Sequence, residues 1–273
     1  MSAAVARGTH RLWDAPPWIV DDPFALDLVG PGWEEFARAA RALVREHVWR
    51  RGHAFVQIRT RYPEDRLIEA GCGQYVILGA GLDSFAWRRP DLLGPLRVFE
   101  VDHPATQAWK RERASALGLP TSGDHLFVPI DFETQELGDR LDVAGFDHSC
   151  PALFSWVGTT MYLTIDAIES TLGVVARCAR GTEIVMGYNV SPDYCDDFGR
   201  EYLAAFAPTA VRMGEALASS FAPAEMEALI ARCGLAVAAH PTSQDLDARY
   251  CSARTDGLRP LITLERLVVA RCG

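Results

Sequence analysis

Lysine is almost absent. Lys110 is the only one, so arginine supplies every other position in the Lys+Arg count of 27. Schiff-base chemistry would have to run through Lys110, which sits in a helical stretch rich in arginine and glutamate, and that chemistry is discounted. A basic surface is also lacking: the net charge is −9 and the pI about 5.3, the reverse of what a nucleic-acid surface carries. No Cys-x-x-Cys occurs. The seven cysteines (72, 150, 178, 195, 233, 251, 272) are scattered and odd in number, which excludes a disulfide frame or a zinc site and suits the reduced thiols of a cytoplasmic protein. The N-terminus has no apolar signal region, and no apolar run approaches the roughly 20 residues of a membrane span. Internal repeats and low-complexity tracts are missing too. What remains is a chain of 273 residues, long enough to bury one good core.

The chain is organised around Tyr75 to Asp83. Four apolar residues, Tyr75-Val76-Ile77-Leu78, read as a short strand buried on both faces. They run into Gly79-Ala80-Gly81, then an acid, then Ser84 to Arg88, which can start a helix. Strand, glycine turn and helix form the first unit of a nucleotide-binding α/β domain. Glycine lets the backbone turn sharply and approach a ligand where a Cβ would clash. A lone Gly-x-Gly also serves ordinary turns. The next strand, Leu96 to Val101, adds weight by ending at Asp102, about twenty residues past the glycines, where an acid meets ribose hydroxyls. The dinucleotide fingerprint wants a third glycine, and Ser84 stands there. The ligand that fits is an adenosine compound without a pyrophosphate, such as S-adenosylmethionine.

In chain order, residues 1 to 31 hold Pro16, Pro17, Pro23 and Pro31 and read as an irregular arm, with Trp13, Trp18 and Phe24 pinning it to the body or lining a pocket. Trp33 to Gln57 reads as a helix that Gly52 can interrupt. Pro63 suits the first turn of a second helix, which Gly71 ends. Pro104 to Leu117 is a helix. Further strands are expected at His125 to Ile130, Ala152 to Val157 and Glu183 to Tyr188, with a helix capped by Thr164 between the last two. Ser191 to Ala222 reads as a helical insertion, with Tyr194, Phe198, Tyr202 and Phe206 at four-residue steps and Met213 further on. Two closing strands, Leu235 to Ala239 and Leu264 to Ala270, are joined by a turn-rich linker and favour an antiparallel finish. The fold class is therefore α/β, a doubly wound, seven-stranded, mostly parallel sheet. An arm and cap helix (1–58) precede the main domain (59–273), and residues 191–222 form its lid.

Several stretches carry a family resemblance: Arg59-Thr60-Arg61 with Asp65, Val76 to Ser84, Phe99 to Pro104, Pro129 to Phe132, and Met161 to Thr164. On these the chain resembles the S-adenosylmethionine-dependent methyltransferases of the leucine carboxyl methyltransferase type. It looks closest to their bacterial branch, which includes polyketide O-methyltransferases, over roughly residues 55 to 270. The resemblance implies a Rossmann-like class I fold, S-adenosyl-L-methionine as cofactor, and a place in secondary metabolism. Gly79, Ala80 and Gly81, with Asp83 beyond, would meet the cofactor's methionine end. Asp102, flanked by Glu100 and His103, would take both ribose hydroxyls. Asp131 would accept from the adenine amino group with Phe132 beside the ring. Arg59 or Arg61 would pair with the methionine carboxylate, a fork donor on a planar acceptor. Val157 departs from the pattern, since many relatives carry an acid there near the cofactor amine.

Methyl transfer from a sulfonium requires alignment and the exclusion of water. A carboxylate acceptor is already ionised near neutral pH, whereas a hydroxyl needs a base. The motifs show no dedicated base except His103, which also suits a helix cap. A carboxylate on a small molecule or peptide is therefore the favoured acceptor, with a hydroxyl as the alternative. Tyr162, Tyr202 and Arg212 are candidates to position it. No metal, nucleic acid or membrane is expected, and the oligomeric state is not legible. Two rivals remain: a cofactor-binding protein without catalysis, and an NAD-dependent oxidoreductase, which would want a third glycine and a Tyr-x-x-x-Lys pair.

Overall fold

The computed structural model describes residues 1–212, 216–260 and 264–273. In chain order the helices α1 (Ser2–Trp13), α2 (Ala25–Val29), α3 (Trp33–Ala42) and α4 (Glu46–Ala70) lead into the sheet. Then follow β1 (Gln74–Leu78), α5 (Phe85–Arg88), β2 (Arg97–Asp102), α6 (Pro104–Ala116), β3 (His125–Pro129), α7 (Leu137–Val143), β4 (Leu153–Trp156), α8 (Ile165–Ala176) and β5 (Glu183–Asn189). The chain closes with α9 (Asp197–Arg212), α10 (Pro223–Arg232), β6 (Ala236–Ala239), α11 (Ser243–Tyr250) and β7 (Glu265–Arg271).

The seven strands lie in the order β3-β2-β1-β4-β5-β7-β6. The first five are parallel, and β7 runs antiparallel to both β5 and β6. Successive residues of β1 point to opposite faces, and both faces are buried. Val76 and Leu78 join the core shared with α7, α8 and α10, while Tyr75 and Ile77 join the core shared with α4 and α11. The strand order reverses between β1 and β4. The carboxyl ends at such a reversal open a crevice, the usual ligand position of a doubly wound sheet.

Helix ends follow local chemistry. Thr164 accepts from the Ala167 N–H at 3.3 Å and caps α8. His103 caps α6 through Nδ1, which accepts from Ala105 N–H at 3.2 Å, with Pro104 in the first turn. Gly71 closes α4 with a left-handed φ of 61°.

Four expectations are corrected. The arm is not irregular: α1 forms ahead of the prolines and α2 between Pro23 and Pro31, and Pro16, Pro17, Pro23 and Pro31 occupy the turns that flank these helices. The arm is held by buried polar contacts as well as aromatics. Arg7 donates to Asp22 at 2.8 Å and to the Leu82 carbonyl at 2.6 Å, and Ser84 Oγ donates to Asp22 at 2.7 Å. The helix expected over 33–57 breaks at residues 43–45 and not at Gly52, where the Tyr202 ring packs so closely that a Cβ would meet it at 2.5 Å. That helix then runs on through Pro63, so the boundary expected after residue 58 falls inside α4. Last, α11 lies between β6 and β7, started by Thr242, which accepts from Asp245 N–H at 3.2 Å.

Candidate active site

The glycine turn after β1 folds over the end of β2. Gly79 and Ala80 donate to the Val101 carbonyl at 2.8 and 3.1 Å, and Gly81 N–H donates to Asp102 Oδ2 at 2.6 Å. His103 N–H donates to the other oxygen, Oδ1, at 2.6 Å. These two amides fix the carboxylate plane at the edge of the crevice. Each oxygen keeps a lone pair for a further donor. Burial pushes the Asp102 carboxyl up, against the pull of the two amides. Gly79 and Gly81 have φ of 66° and 51°, in the left-handed region that favours glycine. A Cβ on Gly79 would meet Thr159 Oγ1 at 2.1 Å, so the turn and the chain after β4 close on each other here.

Arg59 projects from α4 to the same edge. A Cβ on Gly158 would lie 2.8 Å from its guanidinium. Arg59 pairs with Glu265 at the start of β7, and the phenols of Tyr162 and Tyr202 are near enough to act on its charge. Burial pushes the Tyr202 phenol up to about 12, so at neutral pH it keeps its proton and has an O–H to donate. Arg61, two residues on, turns away and pairs with Asp65 at 2.6 Å. Of the two candidate arginines, Arg59 is the one at the crevice.

Asp131 and Phe132 follow β3 at the next position along the edge, where Ile130 N–H bonds the Asp102 carbonyl at 2.9 Å. Phe132 lies against Trp156 with ring centres 6.1 Å apart. Val157 follows β4 and packs its side chain on the apolar core beneath. Asp83 is turned to its own backbone, accepting from Phe85 N–H at 2.6 Å. The expected cofactor contact of Glu100 is corrected. It is buried, and its two oxygens are engaged by Lys110 and by His125 Nε2 at 2.9 Å, among Trp87 and Phe127. Arg212 ends α9, and its side chain, like Met213, lies outside the described residues.

A cavity of about 480 Å³ opens from Arg59, Tyr162 and Glu265. Its walls come from α1, α3, α4 and α9 and include Val5, Phe36, Phe55, Leu203 and Phe206. The arm and the α9 insertion thus roof the space beside the crevice. The aromatic stripe divides. Phe198 packs on α4, with its ring 5.5 Å from His47 and under the Arg51 guanidinium, while Tyr202 and Phe206 stack at 4.2 Å and line the cavity. Tyr194 is exposed.

His10, Asp14 and His53 form a buried group beside the cavity, with Asp14 Oδ2 2.8 Å from His10 Nδ1 and 2.9 Å from His53 Nε2. His10 Nε2 accepts from Ile19 N–H at 3.0 Å, so the ring proton sits on Nδ1, the atom a metal would need. The group reads as a clasp between α1 and α4. Sequence spacing held no signal for Glu265, 206 positions from Arg59, or for His53, 39 positions from Asp14; His10 and Asp14 alone, four apart, make an ordinary pair on a helix end.

Residues 1–176 match the model of the family described as leucine carboxyl methyltransferase. The chain belongs to this family. Among its relatives, the Bacillus subtilis (strain 168) protein YktD is named as an S-adenosyl-L-methionine-dependent methyltransferase. It is 30% identical over 96% of this chain and 93% of its own length. A protein of Mycobacterium sp. (strain JLS) named for the same activity is 33% identical over 70% of this chain and 67% of its own. In fold, the chain is similar to a crystal structure from Thermobifida fusca YX titled as a methyltransferase, with a TM-score of 0.59 at 18% identity over 90% of this chain and 92% of that one. The leucine carboxyl methyltransferase-type chain described here is thus an S-adenosylmethionine-dependent methyltransferase with the class I sheet. Its residues fit that cofactor: Asp102 keeps open acceptors, Gly79 and Gly81 clear the approach, and Arg59 stands where a carboxylate can reach it. Among the described residues no helix is long and apolar enough to cross a membrane.

Proposed function

We propose that the enzyme methylates an oxygen of a small molecule with a largely apolar body, and that this oxygen belongs to a carboxylate. The cavity carries the reading. Its volume is that of a site for a small ligand or the end of a peptide, and apolar and aromatic side chains dominate its walls. When bound, S-adenosylmethionine supplies an electrophilic methyl on sulfur. The protein's part is to orient the acceptor, and a protonated Tyr202 suits an oxygen that is already anionic. A hydroxyl acceptor is the second reading, favoured by His53. It lines the same cavity, is held by Asp14, and is kept toward its neutral form by burial. A place in secondary metabolism and a cytoplasmic location accord with an apolar acceptor and an acidic chain, and no nucleic-acid or membrane partner is proposed.

The test offers the enzyme labelled S-adenosylmethionine with a panel of aliphatic and aromatic acids and matched phenols and alcohols. A methyl ester is released by mild alkali and an ether is not. Label that survives alkali would overturn the carboxylate reading in favour of the hydroxyl.

The roof supplies a second expectation. Phe206→Ala should slow methyl transfer while affinity for S-adenosylhomocysteine stays within a factor of about two, under ~0.5 kcal/mol. Phe198→Ala, which removes a contact to α4, should instead lower the melting temperature, at a cost of about 1–3 kcal/mol for partly buried aromatic surface. If Phe206→Ala loses stability and cofactor affinity together, its ring belongs to the core and not to acceptor binding.

A further inference from the structure

Gly187 stands in the middle of β5, a strand buried along its whole length, where glycine forfeits packing. The structure supplies a reason. Glu265 pairs with Asn189 across the β5–β7 ladder, and its side chain then crosses over Gly187. A Cβ at 187 would lie 2.5 Å from Glu265 Oε1 and 3.5 Å from the Val157 Cα. The carboxylate therefore reaches the end of β4 from two strands away and lies beside Arg59 and Val157. Glu265 is 7% exposed. One of its oxygens is taken by Arg59, and the other, Oε1, is buried with no hydrogen-bond partner among the described residues. An unused carboxylate oxygen in a buried place is costly unless something donates to it.

We propose that Glu265 binds the α-ammonium of the cofactor's methionine moiety, with Arg59 binding the adjacent carboxylate. A zwitterion carries one charge of each sign on neighbouring atoms. Arg59 and Glu265 present the complementary pair side by side at the crevice. They neutralise each other until the ligand arrives, so neither charge is left bare in a buried place. Gly187 is the space through which the acid passes, and Val157, which brings no polar atom, leaves that space to it. The inference rests on the cofactor assignment made above and adds to it a residue from the far end of the chain.

The test measures binding by calorimetry with three probes on the wild-type chain and on Glu265→Gln. S-adenosylhomocysteine carries both charges. Decarboxylated S-adenosylmethionine keeps the primary ammonium without the carboxylate, and 5′-methylthioadenosine has neither. Glu265→Gln should weaken the first two at least tenfold and leave the third within a factor of about two. Unchanged affinity for the decarboxylated probe would overturn the proposal and reduce Glu265 to a residue that positions Arg59. If Glu265→Gln also weakens 5′-methylthioadenosine, the double variant Val157→Glu/Glu265→Gln, which puts the acid back from β4, decides between the two roles. Recovered affinity for the decarboxylated probe supports the assignment, and no recovery overturns it. Failure of the wild-type chain to bind any of the three would instead remove the cofactor assignment itself.

Discussion

Arg59→Ala is expected to weaken binding of S-adenosylhomocysteine by about 1.5–3 kcal/mol, the worth of a hydrogen bond to a charged group, which is roughly 10- to 150-fold. Arg61→Ala should leave that affinity within a factor of about two. The two arginines are adjacent in the motif but opposite in role. Arg59 lies beside Gly158 and Glu265 at the crevice, and Arg61 is tied to Asp65 on another side of α4. Lysine at 59 should recover only part of the loss, because a point charge cannot reproduce the planar fork. Arg59→Ala also leaves Glu265 buried without its cation, so the variant should lose stability as well, on the order of 3–5 kcal/mol. Calorimetry below the melting transition separates the two effects. Equal affinity losses at 59 and 61, or none at either, would place the cofactor carboxylate elsewhere, for example on backbone N–H groups of the glycine turn.

This contrast shows where sequence reading works and where it stops. The turn at Gly79 and Gly81 and the acid at Asp102 are legible because each is defined by short spacing: a strand, a turn, and a second strand ending about twenty residues on. The sheet is legible for the same reason, since its strands are short apolar runs set apart by helix caps and glycine stops. Arg59 and Arg61 lie two residues apart on one helix, about 200° around its axis. Choosing between them requires knowing which face of α4 meets the sheet edge, and α4 is buried on more than one side, between the sheet, α1 and α9. The arm misled for a related reason. Its prolines mark turns correctly but say nothing of the twelve residues ahead of them, whose helix is held by Arg7 and Asp22 reaching Leu82 and Ser84. Ser84, read as a missing third glycine, has its own task as the donor to Asp22. Glu265 gave no signal because its meaning depends on a glycine 78 positions earlier in the next strand of the ladder.

Lys110→Met is expected to be among the most destabilising single changes outside the site, by about 3–5 kcal/mol. The chain's one lysine is fully buried on α6. Its ammonium meets the Glu100 carboxylate, and the Trp87 and Phe127 rings lie 5.4 and 6.0 Å from it. The acid also holds His125 Nε2 at 2.9 Å, so three titratable groups from α6, β2 and β3 share one apolar compartment. Burial alone would push the Glu100 carboxyl up, but Lys110 and His125 together bring it below its ordinary value of 4.5. A carboxyl depressed in the folded state contributes stability above its unfolded value, and that contribution is lost as pH falls through the folded one. In the wild type, Glu100 therefore stabilises at neutral pH and ceases to do so in acid. In Lys110→Met the largest opposing charge is gone and burial acts on Glu100 with less restraint. The gap between variant and wild type should then narrow as the pH falls through the variant's folded Glu100 value, which lies above the wild type's, and stop narrowing once both carboxyls are protonated. Removing the partner too, in Lys110→Met/Glu100→Gln, should recover much of the loss at neutral pH, because a neutral buried pair avoids the bare charge. Denaturant melts at pH 7 and pH 4 on the three proteins provide the check. A single variant within about 1 kcal/mol of wild type at pH 7 would mean that water or His125 already satisfies Glu100, and that the lysine is dispensable to the fold.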